Sequence, residues 1–267
     1  MAREVSSITR VGTSEPFELQ VARGQVAYHK HVFKFGNNPE VGSSLETIWA
    51  QGGLYSYPPT ASVMTVSSSS TDDASAGTGA RTVTVSGLDA DYNEISELVT
   101  LNGQTPVNTT KSYLRVNRMI VRSAGSGGVN AGIIYTGTGT VTSGVPANVY
   151  ALINGIAGSN QTLMALWTVP AGYTAYLVQY DVSNGTTSNT PAVCKLILAV
   201  RPFGEVFQSK DVKSLTTGMH VEATFSVPQR IEEKSDIEVR AISSSASVSF
   251  DISAAFEIIY IKNGADL

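Results

Sequence analysis

The chain has 267 residues, 42% hydrophobic and only 15% charged, with 24 glycines and a net charge of −4. That length holds one large β domain or two ordinary ones, each with its own core, and Ser, Thr and Asn between the apolar runs mark a turn-rich β protein rather than a disordered chain. No run of either sign is sustained, so the basic footprint that phosphate backbones demand is missing and nucleic acid is not an expected partner.

Residues 1–15 are polar and aperiodic and read as an arm ordered by a neighbour. They contain no apolar core that could serve as a signal peptide, and no segment approaches the length needed to cross a bilayer. Folding in a cytoplasm, without membrane insertion, is the expectation. Residues 16–60 come next, as a strand pair followed by an irregular aromatic segment. In PFELQVARGQVAYHKHVFKFG, Phe17, Leu19 and Val21 alternate as in a hairpin or bent strand before Gly24 supplies a bulge or turn. The stretch from 37 to 62 then sets Trp49, Leu54, Tyr55 and Tyr57 among Asn37-Asn38-Pro39, Gly52-Gly53 and Pro58-Pro59, which is loop chemistry. These four side chains are the interface candidates. They are expected to cover a sheet edge or inter-domain seam, or to pack on a neighbouring subunit.

A first β-sandwich is expected over 61–145. Val83 and Val85 share one face of TVTVS, and Ile95, Val99 and Leu101 share one face of ISELVTL, which makes a hairpin across the intervening turn. YLRVNRMIV and IIYTGTGTVTSG add further strands. Residues 146–160 read as a linker with one short helical turn. A second sandwich follows over 161–267, opening with LMALWTV, the turn Pro170-Ala171-Gly172 and YTAYLVQYDV as a hairpin, with Tyr176, Val178, Tyr180 and Val182 on one face. HVEATFSV alternates Val221, Ala223, Phe225 and Val227 with polar residues, and DIEVRAI repeats that pattern. The last strand puts Val248, Phe250, Ile252, Ala254, Phe256, Ile258 and Tyr260 on one face. The fold class is all-β: two jelly-roll-like sandwiches with an extended N-terminal arm. The lack of a strict repeat argues against solenoids and propellers.

Little in the sequence points to chemistry. His29 and His31 lie two apart on one strand and face the same side, but the third and fourth ligands of a zinc or iron site are not recognisable. His220 belongs to the polar face of a strand, and no GxSxG elbow accompanies it. Asp89, Asp91 and Asn93 follow the order of a calcium loop, yet Glu94 stands at its glycine position and Thr100 at its closing glutamate. An Asx-type hairpin turn explains the same residues, with a weak surface calcium site as the other reading. GTGARTV at 77–83 is followed by a strand, not by a helix N-terminus that could hold a phosphate. The single cysteine, Cys194, excludes an intramolecular disulfide and reads as a buried structural thiol. No cofactor, metal or catalytic residue is expected, and no enzyme.

FGNNPEVGSSLETIWAQGGLYSYPPTAS, SSTDDASAGTGARTVTVSGLDADYNEISELVTLNGQTPV and YLRVNRMIVRSAGSGGVNAGII, with NQTLMALWTVPAGYTAYLVQYDV, RPFGEVFQ and EEKSDIEVRA further on, together span most of the chain. In these stretches the sequence resembles a family of virion-associated structural proteins of tailed bacteriophages, common in phages of aquatic bacteria. The resemblance implies a structural component of the particle, at the head surface, the head–tail junction (collar) or the tail, and brings no catalytic residues. A homo-oligomer, most simply a trimer, with other virion proteins as partners, is the corresponding expectation. The alternative is a host-recognition fibre or spike module whose loops bind cell-surface glycans.

Overall fold

The computed structural model describes residues 15–155, 159–186 and 191–264, so residues 1–14 of the expected arm lie outside the described residues. Regular structure is almost entirely strand. One short helix, α1 (Phe17–Ala22), stands where a hairpin was expected. Its inward face carries Gln20 and Val21, while Phe17 and Leu19 point outward. Gly24 ends it in the left-handed conformation (φ +67°), its N–H bonding Val21 and that of Gln25 bonding Gln20, the paired closure typical of a glycine-stopped helix. Alternation over only three apolar residues mimicked a strand. Val21 and Val26 pack on Ile259, Val178 and Ile261, on the outer face of a sheet.

The chain then runs through β1 (His29–Val41) and the short β2 (Glu46–Thr47). Seven strands follow: β3 (Ser62–Ser68), β4 (Ala80–Leu88), β5 (Glu94–Thr100), β6 (Val107–Tyr113), β7 (Arg115–Ala124), β8 (Ile134–Thr142) and β9 (Val145–Ile153). The remainder are β10 (Leu166–Thr168), β11 (Tyr173–Asn184), β12 (Cys194–Arg201), β13 (Gln208–Leu215), β14 (His220–Ile231), β15 (Asp236–Ser243) and β16 (Phe250–Lys262). Among the described residues these strands pair antiparallel.

Two sheets, ordered β1-β16-β11-β14 and β10-β15-β12-β13, enclose one core, with β2 added beside β15. Counting only these eight strands, the first pairs with the last, the second with the seventh, the third with the sixth and the fourth with the fifth. That is the order of a long hairpin rolled into two layers. Phe250, Ile252, Ala254, Phe256, Ile258 and Tyr260 all face this core, as their alternation predicted. The other two sheets, β6-β3-β8-β9 and β5-β4-β7, enclose a second core built on Met64, Val66, Val83, Val85, Met119 and Ile134. The β4–β5 hairpin forms as expected, Val83 opposite Val99.

Four expectations need correction. Residues 146–153, expected as part of a linker over 146–160, are strand: β9 fills 145–153 and pairs with β8, and residues 156–158 lie outside the described residues. Pro146 is tolerated there because β9 is an edge strand, where a missing N–H costs no ladder bond. LMALWTV and YTAYLVQYDV do not form a hairpin: β10 pairs with β15 in one sheet and β11 with β16 and β14 in the other. The Pro170-Ala171-Gly172 turn, with Gly172 at φ +75°, carries the chain from layer to layer. Nor do Tyr176 and Val178 share the core face of Tyr180 and Val182, since a bulge between Leu177 and Gln179 inverts the alternation and turns Ala175 and Leu177 inward. On β14, Val221, Ala223 and Phe225 pack against the core, whereas Val227 is exposed.

The seven-strand sandwich is thus an excursion from the eight-strand one, leaving after β2 and returning before β10. The outgoing and returning segments clasp each other: Ala50 N–H bonds Leu163, Ala165 N–H bonds Ile48 and Met164 N–H bonds Phe35, at 2.8–3.0 Å. Gly36 is required at this clasp, because a Cβ there would stand 2.3 Å from the Ala165 nitrogen and 2.5 Å from the Ile48 oxygen.

Candidate functional site at the seam between the sandwiches

The aromatic loop lies along the line where the two sandwiches meet. Trp49 and Tyr55 are buried in the seven-strand core, their rings 5.0 Å apart edge to face, and Tyr57 continues the row 4.7 Å beyond. Each polar tip is satisfied: Trp49 Nε1 donates to Gly53 at 3.1 Å, Tyr55 Oη to Tyr150 at 2.9 Å, and Tyr57 Oη to Glu238 Oε2 at 3.1 Å. Leu54 stands apart from this row, 51% exposed. Within one chain, therefore, Trp49, Tyr55 and Tyr57 occupy the seam, and Leu54 faces outward.

Glu46 holds the loop that delivers these rings. Its carboxylate accepts from the N–H groups of Gly42 and Gly53, both at 2.8 Å, and from the Asn38 amide at 3.0 Å. Burial pushes this carboxyl up, but those donors outweigh it and hold it below the usual carboxylate range.

Beside Tyr57 a charged cluster bridges the sandwiches. Asp236 on β15 is 2% exposed and receives Arg115 Nε from β7 at 2.8 Å, Arg201 Nε from β12 at 3.0 Å and the Thr168 hydroxyl at 2.6 Å. The guanidinium carbons of Arg115 and Arg201 lie 4.9 and 4.4 Å from the Tyr57 ring centre. Burial works against the charge on Arg115, but Asp236 more than compensates and raises its affinity for the proton. Two positions along β15, Glu238 is fully buried, bonded to Tyr57 and Arg240, and burial pushes its carboxyl up.

The opposite flank of the seam is built differently. Lys34 on β1 is 2% exposed and donates to the Asn117 carbonyl on β7, while Arg118 donates to the Phe33 carbonyl. No carboxylate among the described residues pairs with Lys34. Burial, with Arg118 nearby, holds its amine well below the ordinary lysine range. Glu94 on β5 accepts from Lys30 and, at 2.8 Å, from the Tyr260 hydroxyl, so the β4–β5 hairpin is tied to the eight-strand sheet. A cavity of about 390 Å³ opens beside Lys34, Asn117 and Trp167.

The other sequence candidates have structural partners. Asp89 accepts from the Asp91 and Asn93 N–H groups at 2.9 and 2.8 Å and from the Asn93 amide at 3.2 Å, so its oxygens close the Asx turn. His29 Nδ1 lies 2.8 Å from the Ala27 carbonyl, and His31 and His220 are exposed. Among the described residues no group of three or more His, Cys, Asp or Glu side chains is arranged to hold a metal, and no helix is long and apolar enough to cross a membrane. Cys194 is buried in the eight-strand core, and burial pushes its thiol up to about 12. Sequence reasoning missed Arg115, Arg201, Asp236, Glu238 and Lys34. The only hint was DIEVRAI, where Asp236 and Glu238 alternate with core residues on a face that the structure shows to be buried as well.

No family model matches the chain, and no curated protein matches it in sequence. Among solved structures it is similar to that of infectious bursal disease virus Gx strain, at 11% identity over 89% of this chain and 73% of the other, with a TM-score of 0.25. The infectious bursal disease virus VP2 subviral particle has the same coverages and TM-score at 9% identity. The Gt strain structure matches at 10% identity over 90% of this chain and 74% of its own, again with a TM-score of 0.25. A TM-score of 0.25 assigns neither fold nor function.

Proposed function

We propose that the chain is a non-enzymatic structural component of a tailed-phage virion, an accessory or adaptor protein of the head surface, head–tail junction or tail. It acts as a homo-oligomer, a trimer, and contacts other virion proteins. The sequence resemblance over most of the chain supports this reading, and the seam is the structural observation that carries it. The aromatic row and the buried Arg115–Asp236 pair bond across the two sandwiches, which suits a rigid body whose loops and sheet edges make the contacts. Exposed Leu54 is the loop residue left for a subunit contact.

Antibodies against the chain should label purified particles of the encoding phage in electron micrographs; label absent from particles and protein found only free in the lysate would contradict the reading. Light scattering should give three times the mass of one chain, 28.2 kDa for the full chain, and a trimer should persist without residues 1–15. A monomer would move the oligomer contact to another virion protein.

A second reading, glycan binding during host recognition, is favoured by one feature. Phe203, 62% exposed, and Tyr92 stand on loops at the open end of the seam.

A further inference from the structure

We propose that the cleft above Asp236, where loops of both sandwiches converge, binds an acidic saccharide: a sugar ring bearing a carboxylate. This proposal rests on the glycan-binding reading and gives it a site and a ligand class. The cleft has a volume of about 410 Å³, within the roughly 300–1,000 Å³ of ordinary small-ligand sites. Tyr57 and the Arg115–Asp236–Arg201 cluster form its charged side, Tyr92 comes from the β4–β5 turn, Phe203 from the β12–β13 turn and Lys234 from the β14–β15 turn.

Three cations, Arg115, Arg201 and Lys234, face two carboxylates, Asp236 and Glu205, so the cleft carries a surplus of one positive charge. Donors remain to use it. Arg201 engages Asp236 through Nε and Nη2 only, leaving Nη1 without a partner among the described residues. Lys234 Nζ makes no hydrogen bond or ion pair among them, and lies 5.3 Å from the Phe203 ring centre and 5.8 Å from that of Tyr92. A guanidinium edge and an ammonium beside the exposed Phe203 ring and the half-buried Tyr92 ring match a carboxylate attached to a sugar, whose C–H face can lie on an aromatic ring.

The loops are also fixed in advance. Tyr92 and Lys234 are two non-glycine residues held at positive φ, 65° and 61°, a conformation that persists only where surroundings over-determine it and that gathers at ligand sites. Here hydrogen bonds impose it: Ala171 N–H, across the seam, bonds the Tyr92 carbonyl, and Lys234 N–H bonds Val169. An extended peptide is the poorer occupant. It would need a run of free main-chain groups, and Pro58, Pro59 and Pro202, which line the cleft, offer no N–H.

The test is titration calorimetry of the full chain with D-glucuronate, D-glucose and inorganic phosphate, repeated for Lys234→Gln and Phe203→Ala. Glucuronate should bind saturably, with Kd roughly millimolar for a single sugar, and more weakly as salt is raised. Glucose should bind about tenfold more weakly, and each variant should lose about fivefold in affinity at unchanged Tm. No saturable glucuronate binding, equal binding of glucose, displacement by phosphate at equal concentration, or full affinity in both variants would each overturn the proposal. Retention of the fluorescently labelled chain on host cells separates the two levels. If both variants are retained like the parent, the site assignment falls and the glycan-binding reading survives; if the parent itself is not retained, both fall.

Discussion

The two sandwiches solve the same packing problem with opposite chain logic. In the seven-strand sandwich β4–β5 and β8–β9 join neighbours in sequence, while β3–β6, β4–β7 and β3–β8 close longer loops that all lie inside the inserted segment. In the eight-strand sandwich only β12 and β13 are neighbours; β1 waits for β16 and β10 for β15. Distant pairing costs loop-closure entropy before it is rewarded. Every pairing of the inserted sandwich closes within residues 62–153, so it can form before β1 meets β16, and its folding brings β2 and β10 together at the clasp. The seam then couples a locally determined body to a globally determined one.

The strongest way to break that coupling is Asp236→Ala. It leaves the buried Arg115 guanidinium and the partly exposed Arg201 guanidinium without their carboxylate, and losing one partner of a buried pair costs about 3–5 kcal/mol. Urea unfolding should show a loss of that size, and a loss below about 1 kcal/mol would mean the cluster is solvated.

Trp49→Ala removes the largest ring from the seam and should cost about 3–5 kcal/mol, whereas Leu54→Ala, two turns of loop away and half exposed, should stay within about 0.5 kcal/mol. Equal effects in thermal melts would refute the division of the loop into a buried row and an outward residue.

The Lys34 flank predicts the opposite sign. Its amine binds a proton more weakly folded than unfolded, so the unfolded chain holds the extra proton between the folded value and about 10.4, and stability rises with pH across that window. Lys34→Met should abolish that slope and stabilise the fold by about 1–4 kcal/mol near neutral pH. A destabilised variant would show that the amine's bond to Asn117 outweighs its burial.

The smallest effect concerns Glu46, whose carboxyl is held low by its loop donors. Its contribution is present above the unfolded carboxylate range and lost as pH falls through the folded value. Glu46→Gln should flatten the acid limb of a stability profile, and an unchanged limb would remove Glu46 from the account.

How much of this was legible in the sequence follows the same division. The β4–β5 hairpin and the core face of β16 could be read because their alternation is uninterrupted and, for the hairpin, the partner is adjacent. Helix α1 was misread because Phe17, Leu19 and Val21 alternate over a span too short to separate periods 2 and 3.6, although Gly24 was the stop signal. Strand β9 was hidden by Pro146 and by an exposed first half, and β11 by a bulge that no local pattern announces. At the seam the aromatics stood out as residues that must be buried. Their charged partners did not, since Arg115 and Asp236 are 121 positions apart and meet only once both bodies exist.

Scanning calorimetry of the full chain tests the coupling most directly. A seam that binds the sandwiches into one body predicts a single transition whose calorimetric and van't Hoff enthalpies agree. Two separated transitions in the unmodified chain would show that each sandwich unfolds alone, and would contradict it.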